Sequence, residues 1–167
     1  MDQLHGKVCE VALLVCDVPG AGCLNRAARL GIASVVVERS KFQTRADYEA
    51  EILQHLAGIN PDLIVLAGYM RIIGPTLLNR YPGRIINIHP SLLPAFPGLD
   101  GIGDALKYGV KVIGVTVHKV DAGVDTGPIL DQAAIHLTGT ETKAEVTAQI
   151  HNLEHELYPR VITNLLC

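Results

Sequence analysis

Short apolar runs alternate along the chain with longer amphipathic stretches. Residues 11–16 are apolar throughout and are followed by aspartate, proline and glycine, a pattern typical of a strand buried on both faces. In residues 45–56 the apolar positions recur at helical spacing. Extended to the whole chain, such patterns predict strands at residues 11–16, 34–37, 63–66, 84–89, 114–120 and 129–135, and helices at residues 23–30, 45–56, 75–80, 103–108 and 143–166.

This order of elements favours one fold class. Strands that alternate with helices predict an α/β fold in which helices cover both faces of a mostly parallel sheet. The chain has 167 residues, of which 49% are hydrophobic and 19% charged, enough for one well-buried domain and too few for two. Because no repeat, low-complexity tract or linker divides it, we expect a single domain over residues 1–167.

Composition and charge exclude several partners. The net charge is -3 and the basic residues are scattered, so the chain lacks the basic surface that nucleic acid requires. Residues 1–7 are mostly polar, and Glu10 and Asp17 interrupt or end the following apolar run. That pattern fits neither a signal peptide nor a membrane span. The sequence therefore predicts a cytoplasmic protein that binds neither nucleic acid nor membrane.

Potential metal ligands show no recognisable spacing. No C-x-x-C pair or Cys/His cluster with zinc spacing occurs among the cysteines, Cys9, Cys16, Cys23 and Cys167. His151 and His155 stand four apart on a predicted helix, but the zincin pattern needs a glutamate where this chain has Asn152. We therefore expect no metal, and four plain thiols in a reducing compartment.

A polar pair interrupts the apolar strand at residues 84–89. Asn87 and His89 are two residues apart, so they project from the same face of an extended chain. Pro90 favours extended backbone at His89, and the loop that follows is stiffened by Pro94, Pro97 and Gly98. An amide and an imidazole thus lie side by side on a rigid segment, which favours a catalytic role for these side chains over a packing role.

Three motifs carry a family resemblance. N-I-H-P-S-L-L-P at residues 87–94, P-G-L at residues 97–99 and the later G-V-T-V-H and D-A-G-V-D-T-G-P-I-L resemble glycinamide ribonucleotide formyltransferases. The resemblance extends from about residue 11 to the last residue. The R-G-A that typically follows S-L-L-P in methionyl-tRNA formyltransferases is absent. So is the extra regulatory domain that formyltetrahydrofolate hydrolases usually carry ahead of the core.

The resemblance implies a fold and an activity. The fold would be Rossmann-like, and the chain would be a folate-dependent formyltransferase of purine synthesis. It would transfer a formyl group from 10-formyltetrahydrofolate to the amine of glycinamide ribonucleotide. Both partners would be small molecules, and no metal would be needed.

The resemblance also implies catalytic roles. Asn87 and His89 would face the formyl oxygen of the folate, Asp125 would orient His89 and move protons through water, and His118 would support the site. From spacing alone another interpretation is favoured. In it Asn87 and His89 satisfy backbone groups of a loop, and Asp125 caps a turn in residues 121–127.

Further residues correspond to binding positions of the family. Met70, Arg71 and Ile73 would line the folate pteridine pocket, much of it through backbone groups, and Met70 would also reach the nucleotide substrate. Arg45 would lie near the pterin and phosphate, and Glu154 would contact ribose hydroxyls. Apolar packing for Met70 and Ile73, and a solvated helix surface for Arg45 and Glu154, remain open alternatives.

The beginning of the chain departs from the family. Its members open with an additional strand and a G-x-G-S-N loop that holds the ribonucleotide phosphate. Nothing here matches that loop, and Pro-Gly-Ala-Gly at residues 19–22 is predicted to be an ordinary turn. In a Rossmann-like order the missing strand is central. We therefore expect an N-terminally shortened domain in which strands 11–16 and 63–66 each lack a neighbour.

Two alternatives to a working transferase stay open at this point. One is a formyltetrahydrofolate hydrolase, which needs the same three residues but no phosphate site. The other is a truncated, inactive remnant that keeps a folate pocket. The sequence also leaves open whether two copies form a homodimer.

Overall fold

The computed structural model describes residues 1–167 and contains every predicted helix and strand, with bounds within three residues of expectation. The strands are β1 (Leu14–Cys16), β2 (Ser34–Val36), β3 (Ile64–Leu66), β4 (Ile85–His89), β5 (Val112–Lys119) and β6 (Ile129–His136). The helices are α1 (Gly22–Arg29), α2 (Arg45–Ala57), α3 (Pro75–Arg80), α4 (Gly101–Tyr108) and α5 (Lys143–Leu166).

The strands form a parallel two-stranded sheet and a four-stranded sheet of mixed direction. β1 pairs with β2 in parallel, and β3 pairs with β4 in parallel. The pairs β4–β5 and β5–β6 are antiparallel, so the expectation of a mostly parallel sheet is wrong for the second half of the chain. No crossover helix separates β5 from β6, and antiparallel strands need only a loop between them. The prediction rested on strands that alternate with helices, and this alternation ends at β5, which β6 follows directly.

β1 and β3 each have a single partner. The order is β1–β2 in one sheet and β3–β4–β5–β6 in the other, so no hydrogen bonds join β1 to β3. This confirms the prediction that these two strands each lack a neighbour. Val65, in the middle of β3, is accordingly 40% exposed.

β4 lies between two hydrophobic cores. Ile86 belongs to the larger core, which packs the four-stranded sheet against α4 and α5 and also takes in Leu4. Its neighbour Ile85 belongs to the smaller core, which is formed largely by α2 and α3. Because successive side chains of a strand point to opposite faces, β4 is held from both sides. The residues at its carboxyl end therefore have rigid support.

α5 is anchored to β3 and β4 of the four-stranded sheet. Thr142 and Glu145 form a capping box at its first turn, and the helix continues across Pro159. The hydroxyl of buried Tyr158 lies 2.7 Å from the carbonyl oxygen of Leu66 and 3.2 Å from that of Ile86, and donates toward both. This side chain joins α5 to β3 and β4. None of the helices, α5 included, combines the length and apolar composition that a membrane crossing needs.

Candidate active site

His89 is the last residue of β4 and is buried, with 4% of its surface exposed. Its Nε2 lies 2.9 Å from the carbonyl oxygen of Phe96, and its Nδ1 lies 3.5 Å from Oδ2 of Asp125. Both ring nitrogens thus face acceptors. The start of α4 closes the remaining side, since a Cβ on Gly101 would lie 3.0 Å from Nε2 of His89. The ring is therefore fixed in place.

Asp125 is presented by the loop between β5 and β6. Its backbone has a positive φ of 54°, a conformation that is unusual for residues other than glycine, asparagine and aspartate. Oδ2 accepts a hydrogen bond of 2.8 Å from the amide of Gly98, and Oδ1 lies 3.6 Å from Nε2 of His118. The carboxylate therefore stands between two histidines and a backbone donor.

Asn87 and His118 form a cross-strand pair. They are direct partners in the β4–β5 register, and Nδ2 of Asn87 lies 3.3 Å from Nε2 of His118. Nδ1 of His118 lies 2.9 Å from the carbonyl oxygen of Lys119, to which it donates. These partners assign the proton of a neutral His118 to Nδ1, so Nε2 accepts from the amide. The second N–H of Asn87 remains for another acceptor.

A buried network that the sequence analysis missed holds the loop after His89. Thr116 is the register partner of His89 and is fully buried. Its Oγ1 donates to the carbonyl oxygen of Ser91 at 2.7 Å and accepts from the amide of Leu93 at 3.0 Å. Nε2 of Gln132 also donates to this oxygen, at 2.9 Å. A threonine inside the apolar run of β5 was the available signal.

Two cavities adjoin Asp125. The first has a volume of about 80 Å³, and its polar lining includes Asn87, His118 and Asp125. The second has a volume of about 220 Å³ and lies against Leu93, Pro94 and the loop that carries Asp125. His89 lines neither cavity, because it stands behind the carboxylate. Asn87, His118 and Asp125, but not His89, are thus the groups of the predicted site that a ligand in the first cavity would meet.

The segment between β3 and α3 forms one wall of the first cavity. Of the residues predicted there, Arg71 and Ile73 line it, and so do Tyr69 and Ile72, which the prediction did not include. Met70 is 65% exposed and is not a lining residue. The segment has no periodicity, so the sequence contained no signal for which side chains turn inward.

Arg45 lies outside this cavity. It is exposed at the start of α2, and its guanidinium group stands against Gly74, at the start of α3. Arg71 instead reaches β1. Its Nη2 lies 3.2 Å from Oδ2 of Asp17, the residue that directly follows β1. This ion pair links the two-stranded sheet to the cavity wall.

A buried carboxylate holds the segment between β3 and α3 in place through hydrogen bonds to the start of α3. Glu49 of α2 is fully buried, and its oxygens accept hydrogen bonds from the amides of Gly74 at 2.5 Å and Leu77 at 3.3 Å. These amides begin α3, where helical partners are lacking. Glu49 thereby fixes the point at which the cavity wall ends. Sequence analysis missed this residue because its partners lie far along the chain.

Glu154 faces the site from α5. Burial raises the pKa of its carboxyl group above the ordinary value, and positive charge on His151, His155 and His89 acts in the opposite direction. It lines neither cavity. The residues of the chain include no group of three or more His, Cys, Asp or Glu side chains placed to hold a metal ion.

The raised pKa of Glu154 leads to a prediction about pH and stability. A carboxyl group whose pKa is higher in the folded state stabilises the fold below its unfolded pKa, and this contribution is lost as the pH rises through the folded pKa. We expect Glu154→Gln, which stays neutral, to lose less stability than the unaltered chain between about pH 4 and pH 7. Thermal melts across this range measure the difference.

Glu156→Gln, on the exposed side of the same helix, is the matched control. Its stability profile is expected to follow that of the unaltered chain. If the Glu154→Gln profile runs parallel to both, burial of this carboxyl group does not influence folding.

Comparisons with known proteins show which family the chain belongs to. Residues 1–162 match the formyl transferase family. The chain is 52% identical over 157 residues to the phosphoribosylglycinamide formyltransferase of Bacillus subtilis, which covers 94% of this chain and 80% of that protein. It is also 41% identical over 165 residues to the trifunctional purine biosynthetic protein adenosine-3 of Drosophila melanogaster, of which it spans 12%.

Solved structures show the same relationship. The crystal structure of phosphoribosylglycinamide formyltransferase from Bacillus halodurans matches with a TM-score of 0.92 and 48% identity, over 95% of this chain and 81% of that one. Glycinamide ribonucleotide transformylase 1 from Geobacillus kaustophilus matches with a TM-score of 0.90 and 52% identity, over 94% and 84% of the two chains. The chain therefore belongs to the formyl transferase family and groups with its phosphoribosylglycinamide formyltransferases. The resemblance seen in the sequence motifs and the α/β fold are confirmed.

Proposed function

We propose that the chain transfers the formyl group of 10-formyltetrahydrofolate to the amine of glycinamide ribonucleotide, a step of purine nucleotide synthesis. The observation that carries this proposal is the convergence of Asn87, His118 and Asp125 on one cavity, with His89 directly behind the carboxylate. Membership of the family and the activity named for the Bacillus subtilis relative support it.

Asn87 supplies the oxyanion donor in this proposal. The donor folate carries its formyl group on N10, and the substrate amine forms a bond to the formyl carbon while the C=O electron pair moves onto oxygen. One N–H of Asn87 is held by His118, so the other can donate to that oxygen. Donors placed where charge develops are among the largest contributions to catalysis. The direct contact of His89 with the formyl oxygen stays a prediction.

Asp125 transfers protons in this proposal. The attacking nitrogen loses a proton as its bond to carbon forms, and N10 gains one when the C–N10 bond breaks. A carboxylate at the cavity surface can take the first proton, directly or through a water, and return it to N10. His89 and the amide of Gly98 both contact Oδ2 of this carboxylate and hold it in position. The transfer as proposed requires no metal.

The proposed folate-binding residues lie mainly in the wall of the first cavity. Arg71 and Ile73, with Tyr69 and Ile72, form the surface that would receive the folate ring. The exposed side chain of Met70 is consistent with contact to folate and nucleotide through its backbone. Ribose hydroxyls are the partners proposed for Glu154, and the pterin and phosphate side of the site is proposed for Arg45. The cytoplasmic location, the single domain and the homodimer stay predictions.

Release of tetrahydrofolate with and without nucleotide tests the proposal. A transferase releases tetrahydrofolate only when glycinamide ribonucleotide is added. A formyltetrahydrofolate hydrolase would release it, together with formate, in the absence of nucleotide. A remnant would bind folate and release nothing under either condition. Either of these last two results would overturn the proposal.

A further inference from the structure

Two cysteines that are seven positions apart meet beside the site. Cys16 ends β1, and Cys23 lies in the first turn of α1. Their sulfur atoms are 3.6 Å apart, with the thiol of Cys23 directed at Sγ of Cys16. The thiol of Cys16 in turn donates to the carbonyl oxygen of Val18 at 3.3 Å. The spacing along the chain matches no redox motif, and only the fold brings these sulfur atoms together.

We infer that Cys16 and Cys23 form an intramolecular disulfide when the protein meets a peroxide or a small-molecule disulfide. With hydrogen peroxide, the Cys23 thiolate attacks one oxygen, giving a sulfenic acid and, with a proton, water. The Cys16 thiolate then attacks the Cys23 sulfur, and the hydroxide that leaves takes up a proton to form a second water. The two thiols together lose two electrons and two protons, and the peroxide is reduced to two molecules of water.

The geometry assigns different roles to the two thiols. Cys23 is partly exposed and is the sulfur that a small oxidant reaches, whereas Cys16 is buried and acts as the resolving thiol. Disulfide formation requires the sulfurs to close from 3.6 Å to about 2.05 Å. The turn between β1 and α1 contains Pro19 and Gly20, and Gly20 already has a positive φ of 76°, so a short adjustment of this turn suffices.

The environment of the pair sets the rate of oxidation. Burial raises the pKa of the Cys23 thiol, and the hydrogen bond to Cys16 raises it further. Because the thiolate is the reactive species, oxidation at neutral pH is slow. The rate is expected to increase as the pH rises through the ordinary thiol range and above it. The pair therefore responds to sustained oxidation rather than to brief exposure.

The disulfide is coupled to the cavity through one ion pair. Asp17 lies between Cys16 and Val18, and its Oδ2 is 3.2 Å from Nη2 of Arg71, a cavity-lining residue. Oxidation removes the thiol hydrogen that Cys16 donates to Val18 and draws Cys16 toward Cys23. Asp17 then no longer stands opposite Arg71. The affinity for folate is expected to fall roughly two- to fivefold, the effect of losing one exposed ion pair.

This effect on affinity rests on the proposed function, whereas formation of the disulfide does not. The first experiment therefore follows the chemistry alone. The protein is treated with hydrogen peroxide, its free thiols are alkylated with iodoacetamide, and it is cleaved after glutamate. Residues 11–38 are released as one peptide that contains Cys16 and Cys23 and no other cysteine.

We expect this peptide to lose two hydrogen atoms in mass, to resist alkylation, and to become alkylated after treatment with dithiothreitol. Cys23→Ser should abolish the mass change, and Cys167→Ser, at the exposed last residue, should preserve it. If Cys23 proceeds to sulfinic acid without bridging, or if only intermolecular disulfides form, the inference is overturned.

The second experiment measures the coupling. The affinity for 5-formyltetrahydrofolate, a stable isomer of the donor, is measured by calorimetry for the reduced and oxidised protein. Oxidation should weaken binding in the unaltered chain and leave it unchanged in Cys23→Ser and in Asp17→Asn, in which the ion pair is already lost. Equal affinities of the oxidised and reduced unaltered chain would contradict the coupling.

Hydrogen exchange at residues 69–73 gives a readout of the coupling that needs no ligand. Faster exchange in the oxidised protein is expected, and unchanged exchange would contradict the coupling. If the reduced protein fails to bind folate while the disulfide forms, the proposed function fails and the modification site stands.

Discussion

Asn87→Ala is expected to lower the rate of formyl transfer by about 10²–10³-fold, the usual cost of removing one oxyanion donor. The side chain is partly exposed at the cavity and makes a single hydrogen bond, to His118, so folding should change little. Turnover measured at saturating folate and nucleotide detects the effect, and a thermal melt detects any loss of stability. The change should appear mainly in kcat, because the donor acts on charge that exists only in the transition state.

Asn152→Ala, on the exposed surface of α5, is the matched control and should keep normal turnover. A folded Asn87→Ala enzyme with near-normal turnover would show that another group stabilises the oxyanion. A loss confined to KM would instead indicate that Asn87 only binds substrate.

Asp125→Asn is expected to lower turnover by about 10²–10⁴-fold, the range that a positioned proton-transfer group contributes. Asparagine tolerates the positive φ of this position, and its side-chain oxygen can still accept from the amide of Gly98. The loop should therefore keep its shape. What is lost is the basic carboxylate at the cavity and its attraction to His89.

Turnover and the affinity for 5-formyltetrahydrofolate distinguish this role from a structural one. Turnover should fall far more than affinity, while Asp62→Asn, at an exposed position before β3, should alter neither. Equal and modest losses in turnover and affinity would mark Asp125 as a residue that only shapes its turn.

The placement of His89 could be predicted only in part from local sequence patterns. Alternation along one strand is a local property, so the sequence could place Asn87 and His89 on the same face of β4. It could not reveal that His89 is buried behind Asp125 with its Nε2 bonded to the carbonyl oxygen of Phe96. Replacing His89 therefore disturbs packing as well as chemistry, and Asn87 and Asp125 are the cleaner tests.

The remaining features of the site depend on pairing between distant segments. The antiparallel β4–β5 register places His118 opposite Asn87, and no local pattern encodes a register. The same holds for Glu49, whose hydrogen-bond partners lie 25 and 28 residues further along the chain. In the cavity wall, the irregular backbone turns Ile72 inward and leaves Met70 exposed. These contacts become visible only once the chain is folded.

The fate of the formyl carbon provides the most direct test of the proposed chemistry. The purified chain is incubated with glycinamide ribonucleotide and 10-formyltetrahydrofolate labelled with ¹³C in the formyl group, and the products are followed by NMR. We predict that the label leaves N10 and appears in a formamide on the nucleotide amine, in equal amount to the tetrahydrofolate released. Label that accumulates as free formate, or that stays on the folate while the nucleotide remains unmodified, would contradict the account.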